Sequence, residues 1–362
     1  PLQGPKLVKT IYFQEPYIPT GIAIAGNYGY IITNGGTFPG NLKGKVYVLD
    51  ITNADNPWLT AEYLFEDRAL YGFPRIDGNY LYAFGLYEYG PPQPWGYSFE
   101  VFDISDALEP INIASYLLHD PTSAGPTHNL RGNIEIAGDT AYVSLGYQRI
   151  HTESGGKISE ELTELTDWWY SIYIVDIHNP SSPSVVGTIG PTDELRYSTI
   201  ARDGDWLFSS SEYFNPDLDY YAFTSRNIED PAVGEFIDQI AFNTYNQCWI
   251  SKFGDDTYYA DILYDEHPLR RLFYSDITNA SPLSSIVIWN EPFWPPPTSS
   301  TISFGEVRGD YLFTTQSTAY EWAGTFGYFS IFTVNNHLLP GMQKQVSNNR
   351  TSIPRPFLLV PT

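Results

Sequence analysis

Three histidines, His119, His128 and His151, fall in one stretch of this chain, with Arg131 beside them. Imidazoles near carboxylates are a ligand set for zinc and related ions. Asp217 and Asp219, with Asp261, Asp265 and Glu266 further on, offer hard oxygen ligands of the kind Ca²⁺ takes. The histidine spacing follows no zinc pattern and the acidic residues follow no calcium-loop pattern. No cofactor is therefore required, and Ca²⁺ is the one candidate. Arg131, His128 and Glu306 are the candidate catalytic residues, an arginine–glutamate pair with an imidazole close by. The sequence contains no G-x-S-x-G, H-E-x-x-H, P-loop or dinucleotide fingerprint.

Rings are the stronger signal. Tyr87, Tyr89 and Trp95 lie in one Pro-rich segment, and Trp289, Phe293 and Trp294 in another. Trp168-Trp169 closes a long acidic insertion, Tyr147 to Tyr170, and Tyr213 opens a further irregular stretch. Flat, rigid rings cost little entropy to present and suit a sugar face or another protein. These residues are the candidate binding surface, with a protein or a glycan as partner. Inside the insertion, Ile158, Leu162 and Leu165 have the spacing of one short amphipathic helix.

The elements that must position these residues are repeated. An apolar strand runs into Asp50, Asp103, Asp176 or Asp276, and in two worn copies into Thr224 or Thr333. A proline follows seven residues later in five copies and six later in the copy at Asp276. Upstream of each lies a glycine followed by Asn or Asp, at Gly26, Gly78, Gly138, Gly204, Gly254 and Gly309. Such pairs tolerate the positive φ of a tight hairpin. Each unit thus reads strand a, tight turn, strand b, longer connection, strand c ending at the Asp, proline turn, strand d. Four antiparallel strands repeated six times predict a β-propeller, all-β, with six blades favoured over seven. The predicted domain spans residues 1–346, its blades centred on Asp50, Asp103, Asp176, Thr224, Asp276 and Thr333; residues 347–362 form an apolar, Pro-rich tail.

The apolar strand followed by Asp-Ile-Ser/Thr and a proline turn resembles the LVIVD-repeat family, and the resemblance covers nearly the whole chain. It implies a propeller, often exported or surface-associated, with no single shared activity. The aspartates, by their own chemistry, are structural: a carboxylate at that point can accept N–H groups of the turn that follows.

Residues 5–11 match strand d and have no a, b or c strand of their own, so the N-terminal strand is expected to close the ring. Met342 to Val346 is a second candidate for the same place, which leaves one strand spare. In a propeller the a–b and c–d turns share one face and the b–c and d–a connections the other. The second face is irregular here, so it is the expected working face. Thr20, Phe73, Arg131, Asn133, Tyr197, Ser198, Trp249, Ser303 and Glu306 are expected along the central channel.

Composition narrows the function. A net charge of −23 excludes nucleic acid as partner and disfavours anionic lipid surfaces. No run is long and apolar enough for a membrane span. The single cysteine, Cys248, excludes an intrachain disulfide. Few lysines, many Tyr, Thr and Asn, and a start at Pro1 lead us to expect a processed protein that works outside the cell or at its surface. The sequence therefore predicts an extracellular binding or assembly module rather than an enzyme. Self-association by exchange of a terminal strand, into a homo-oligomer, layer or filament, is expected of the spare strand. The alternative is a secreted hydrolase or lyase with its site at the channel mouth.

Overall fold

The structure is a computed structural model. It describes residues 6–13, 16–37, 41–88, 95–119, 133–150, 166–189, 195–203, 206–215, 218–227, 235–242, 248–253, 256–261, 269–274, 282–289, 299–308, 311–320 and 324–333. Every regular element among them is a β-strand. The first sheet is β2 (Ile18–Ala25), β3 (Tyr28–Thr37), β4 (Asn41–Asp50) and β5 (Trp58–Phe65), in that order and antiparallel. The second repeats it with β6 (Arg68–Asp77), β7 (Tyr80–Glu88), β8 (Trp95–Asp103) and β9 (Ile111–His119). The third is β10 (Ile134–Ala137), β11 (Thr140–Ile150), β12 (Thr166–Asp176) and β13 (Ser184–Ile189). The fourth is β14 (Leu195–Asp203), β15 (Trp206–Asn215), β16 (Leu218–Asn227) and β17 (Glu235–Phe242).

The fifth unit consists of two pairs, β18 (Cys248–Phe253) with β19 (Asp256–Asp261), and β20 (Leu269–Tyr274) with β21 (Pro282–Trp289). β19 lies beside β20, so the four keep the order of the other units. The last sheet is β22 (Ser299–Arg308), β23 (Tyr311–Tyr320) and β24 (Gly324–Thr333), and its outer strand is β1 (Lys6–Phe13) from the other end of the chain. β1 runs antiparallel to β24 from Lys6↔Thr333 to Phe13↔Gly327. The alternative closing segment, Met342 to Val346, lies outside the described residues, as do residues 347–362.

Successive sheets pack face to face. Val46, Val48 and Phe65 of the first meet Leu81, Ala83 and Phe102 of the second. Phe99 and Val101 of the second meet Val143 and Val175 of the third, and Ile172 of the third meets Ile200 of the fourth. Phe313, Phe329 and Ile331 of the last sheet meet Ile22, Ile24 and Leu49 of the first. Each first strand also touches its neighbours' first strands: β2 with β6, β6 with β10, β10 with β14, β14 with β18, β18 with β22, and β22 with β2.

The repeated turn has a physical basis. The carboxylates of Asp50, Asp103 and Asp176 accept the N–H groups of Thr52, Ser105 and His178 at 2.8, 2.8 and 2.9 Å. The next residue along, Ile51, Ile104 or Ile177, donates its N–H at 2.8 Å to the hairpin residue Asn27, Asn79 or Asp139. A second Asx turn follows at Asn53, Asp106 and Asn179. These bonds hold Asp50 and Asp103 below the usual carboxylate range, through Thr52 in the first case and Ser105 in the second. The hairpin glycines Gly26, Gly78 and Gly138 have φ of 56°, 54° and 56°, where a Cβ is strained.

Register corrects one assignment. The last residue of strand c pairs with the first of strand b in Tyr28↔Asp50, Tyr80↔Asp103 and Thr140↔Asp176. In the fourth sheet that pair is Trp206↔Asn227, and Asn227 in turn faces Glu235 as Asp50 faces Trp58. The landmark of this unit is therefore Asn227, not Thr224. The Thr224-to-Pro231 spacing was a coincidence, because ladder pairing outweighs a distance along the chain. Thr333 does hold the landmark position, opposite Tyr311. Asp276 lies outside the described residues.

The outer strands share one defect. Each skips a residue in its ladder near its start: Thr60, Ile113, Val186, Ile237, Leu283 and Val8. A bulge twists an edge strand and spoils it as a template for another edge.

Candidate functional site

The b–c connections are longer as strands and shorter as loops than the sequence suggested. β7 and β8 stay paired to Glu88↔Trp95, and β11 and β12 to Ile150↔Thr166. β15 and β16 stay paired to Asn215↔Leu218. Trp169 sits opposite Tyr147, Trp168 opposite Gln148, and Tyr213 opposite Tyr220. Aromatic residues favour a pleated ladder and pair across it, so the arms extend where loops were expected. Trp289 closes β21, His119 closes β9, and Asp219 lies in β16 opposite Phe214. Tyr89, His128, Arg131, His151, Asp217, Phe293 and Trp294 lie outside the described residues, as does the helix expected over 158–165. Among the described residues, no three His, Cys, Asp or Glu side chains are grouped to hold a metal.

Beneath this face lies a cluster that the sequence reading missed. Glu100, on β8, is wholly buried. One carboxylate oxygen accepts from Ser98 Oγ at 2.5 Å, Ser115 Oγ at 2.8 Å and Tyr87 OH at 3.1 Å. The other accepts from Arg68 Nη1 at 2.8 Å and Asn112 Nδ2 at 3.0 Å. Arg68 is shared: its Nε and Nη2 donate to Asp67 at 2.9 Å, and its guanidinium stacks 4.4 Å over the Tyr87 ring and 5.5 Å from Phe65. Gly85 leaves no room above Ser98 and Glu100, because a Cβ there would collide with both side chains. Burial and the Glu100 charge push the Tyr87 hydroxyl up to about 12. Burial works against the Arg68 charge, yet Asp67 and Glu100 hold it protonated well above its usual range.

A sister cluster lies in the first sheet. Lys45 Nζ contacts both Glu62 oxygens at 3.1 Å and lies 4.4 Å from the Tyr17 ring and 5.5 Å from Tyr47. In both clusters a cation is already matched by an internal carboxylate and an internal ring. Tyr87, a candidate binding residue, thus spends its hydroxyl on Glu100 and Ser115 and its ring face on Arg68. A phenol held neutral is a poor nucleophile. Their physical role is to fix the β5–β6 connection and the base of the β7–β8 arm.

The first strands, expected to line a channel, are tied to one another there. Asn133 is buried, and its side-chain oxygen accepts the Ile200 N–H at 2.6 Å while its amide donates to the Ile200 carbonyl. Thr20 donates to the Leu70 carbonyl at 2.9 Å, and Phe73 bridges to Asn133. Residues read as channel lining are in these cases ties between sheets, through the side chains of Thr20 and Asn133 and the backbone of Phe73, since an unpaired strand edge needs partners. β22 breaks register between Phe304 and Val307, which places Glu306 in a bulge. Similar breaks occur at Thr20 in β2, between Tyr71 and Arg75 in β6, and at Ser198 in β14. The signal in the sequence for Asn133 was its position five residues before a hairpin glycine; nothing marked Glu100, an isolated acid in an apolar strand.

No family model and no curated protein matches this chain. Among solved structures, a protein of unknown function from Dyadobacter fermentans matches with a TM-score of 0.59 at 8% identity, covering 92% of this chain and 100% of that one. That likeness shows a shared fold. A neuraminidase-like protein of a bat influenza virus matches with a TM-score of 0.48 at 9% identity, over 91% of this chain and 94% of that one. An acylaminoacyl peptidase of Pyrococcus horikoshii matches with a TM-score of 0.44 at 11% identity, over 83% of this chain. This chain spans only 43% of that peptidase. The last two likenesses are too slight to carry an argument about function. No helix among the described residues is long and apolar enough to cross a membrane.

Proposed function

We propose that this chain is a six-bladed propeller, closed by its N-terminal strand, that acts outside the cell or on its surface as a binding and assembly module. Its turn repeat resembles that of the LVIVD-repeat proteins. The cycle of contacts among β2, β6, β10, β14, β18 and β22 supports the ring, and the β1–β24 pairing supports the closure. The observation that carries the functional reading is the register of the b–c arms. Trp95, Trp168, Trp169 and Tyr213 lie on strands that stay paired far out along the b–c arms, so the backbone that carries a surface for a protein or a glycan is held before the ligand arrives. This reading requires no cofactor; Ca²⁺ at Asp217 and Asp219 is testable by the shift in thermal midpoint on adding the ion.

Tryptophan fluorescence during titration with a panel of soluble neutral and acidic oligosaccharides, and retention of surface proteins on the immobilised chain, test this reading. Binding that weakens tenfold or more in Trp168→Ala/Trp169→Ala supports it. Binding unaffected by that change and by Trp95→Ala refutes it. A secreted hydrolase or lyase is the second reading, favoured by the bulge that carries Glu306, since bulges re-aim side chains beside active sites. An activity abolished by Glu306→Gln and Arg131→Ala would establish it in place of the first.

A further inference from the structure

We infer that the outer edge of β24 is a strand-acceptor site, and that β1 of a second copy of this chain fills it as well as the chain's own β1 does. The inference rests on the closure read above and specifies how the module assembles. β13 and β17, like β5 and β9, follow their neighbouring strand c after seven intervening residues. Among the described strands β1 alone joins its sheet from a distant part of the chain, and residues 14–17 connect it to β2.

The seat is specific. Phe13 is 9% exposed and packs on Tyr47 at 5.1 Å, while Val8 and Ile11 cover the cluster of Phe329, Ile331 and Phe313. Without β1, β24 presents an open row of N–H and C=O groups above buried apolar side chains, a combination that needs an extended strand rather than water. The bulges in all six outer strands resist pairing between intact rims. Among the described strands, strand-based association therefore runs through β1.

Geometry limits the product. β1 ends at Phe13, opposite Gly327, on the side of the sheet where the β23–β24 hairpin closes at Tyr320↔Gly324. Four linker residues span at most about 14 Å. Two exchanging copies must therefore meet irregular face to irregular face, each lending β1 to the other, which closes the assembly as a pair.

Cysteines at a directly opposed pair test this in the full chain. In a Cys248→Ser background, Tyr12→Cys is placed on one copy and Tyr328→Cys on another, the two residues being partners in the ladder. The copies are mixed, unfolded, refolded together over a range of concentrations and oxidised. A disulfide-linked heterodimer whose yield rises with concentration is the expected result. A copy with Leu64→Cys in place of Tyr328→Cys should give none. Absence of the heterodimer, while one chain bearing both cysteines forms its internal disulfide, overturns exchange and leaves closure standing. Failure of the internal disulfide as well overturns closure, and exchange with it. A ladder of linked species larger than the pair, formed by the chain bearing both cysteines when it is refolded at high concentration, overturns the reciprocal geometry.

Discussion

Glu100→Gln isolates the charge of the buried cluster with almost no change of shape. In the native protein the carboxylate faces Arg68 and Asn112 on one oxygen and three hydroxyl donors on the other. A glutamine can keep its carbonyl toward Arg68 and turn its NH₂ to the hydroxyls, which can rotate to accept. What it cannot restore is the negative charge beside a guanidinium that is only 14% exposed. Breaking a buried ion pair costs about 3–5 kcal/mol. Arg68 keeps Asp67, and the hydrogen bonds are partly replaced, so the expected loss is about 2–3 kcal/mol. That is a large part of the about 5–15 kcal/mol by which a domain is stable. Urea unfolding at neutral pH measures it, with an unchanged slope showing that the unfolded state is the same. Glu62→Gln is the control: Glu62 is 50% exposed, and its pair with Lys45 should contribute under about 1 kcal/mol. Equal losses in the two variants would refute the view that burial at Glu100 makes the difference.

Other consequences can be checked separately. Asn133→Leu leaves the buried Ile200 N–H and carbonyl without partners, and should cost about 2–4 kcal/mol in the same unfolding assay; a neutral result would show that the staple is dispensable. The depressed pKa values of Asp50 and Asp103 mean that their turns stabilise the fold above the usual carboxylate value of 3.8. That contribution disappears as pH falls below about 4, through the lowered values. Asp103→Asn keeps an acceptor for Ser105 but cannot titrate, so its stability should decline less steeply in acid than wild type; parallel acid limbs would contradict this. Burial raises Tyr30 and Tyr87 from 10.0 to about 12. Both favour the fold below pH 10, and that advantage is lost as the pH climbs from 10 to 12. Spectroscopic titration should show as many phenols ionising near pH 10 in Tyr30→Phe/Tyr87→Phe as in wild type; a count lower by two would refute the raised values.

The units and their turns were legible because they are local. Asp103 reaches Ser105, and Gly78 needs a positive φ, within a few residues of chain. Misreading Thr224 shows where locality ends. A seven-residue spacing can arise by chance, while the pairing of Trp206 with Asn227 is fixed by a ladder of ten residue pairs. The same reason explains the arms: whether Trp168 lies in a loop or on a strand depends on whether Gln148 is opposite it, and that partner is distant in the chain.

From the sequence alone came the all-strand composition, the six-fold period, the turn aspartates and a strand-like N-terminus with no unit of its own. Those features rest on backbone preferences and short-range hydrogen bonds, which each segment carries with it. The tertiary structure decided the rest. It placed Glu100 against Arg68, Asn133 against Ile200 and Phe13 against Tyr47, contacts between residues of different strands or sheets. Burial and partnership are properties of the packed sheets, so a lone acid in an apolar strand acquires its meaning only when the neighbouring strands arrive.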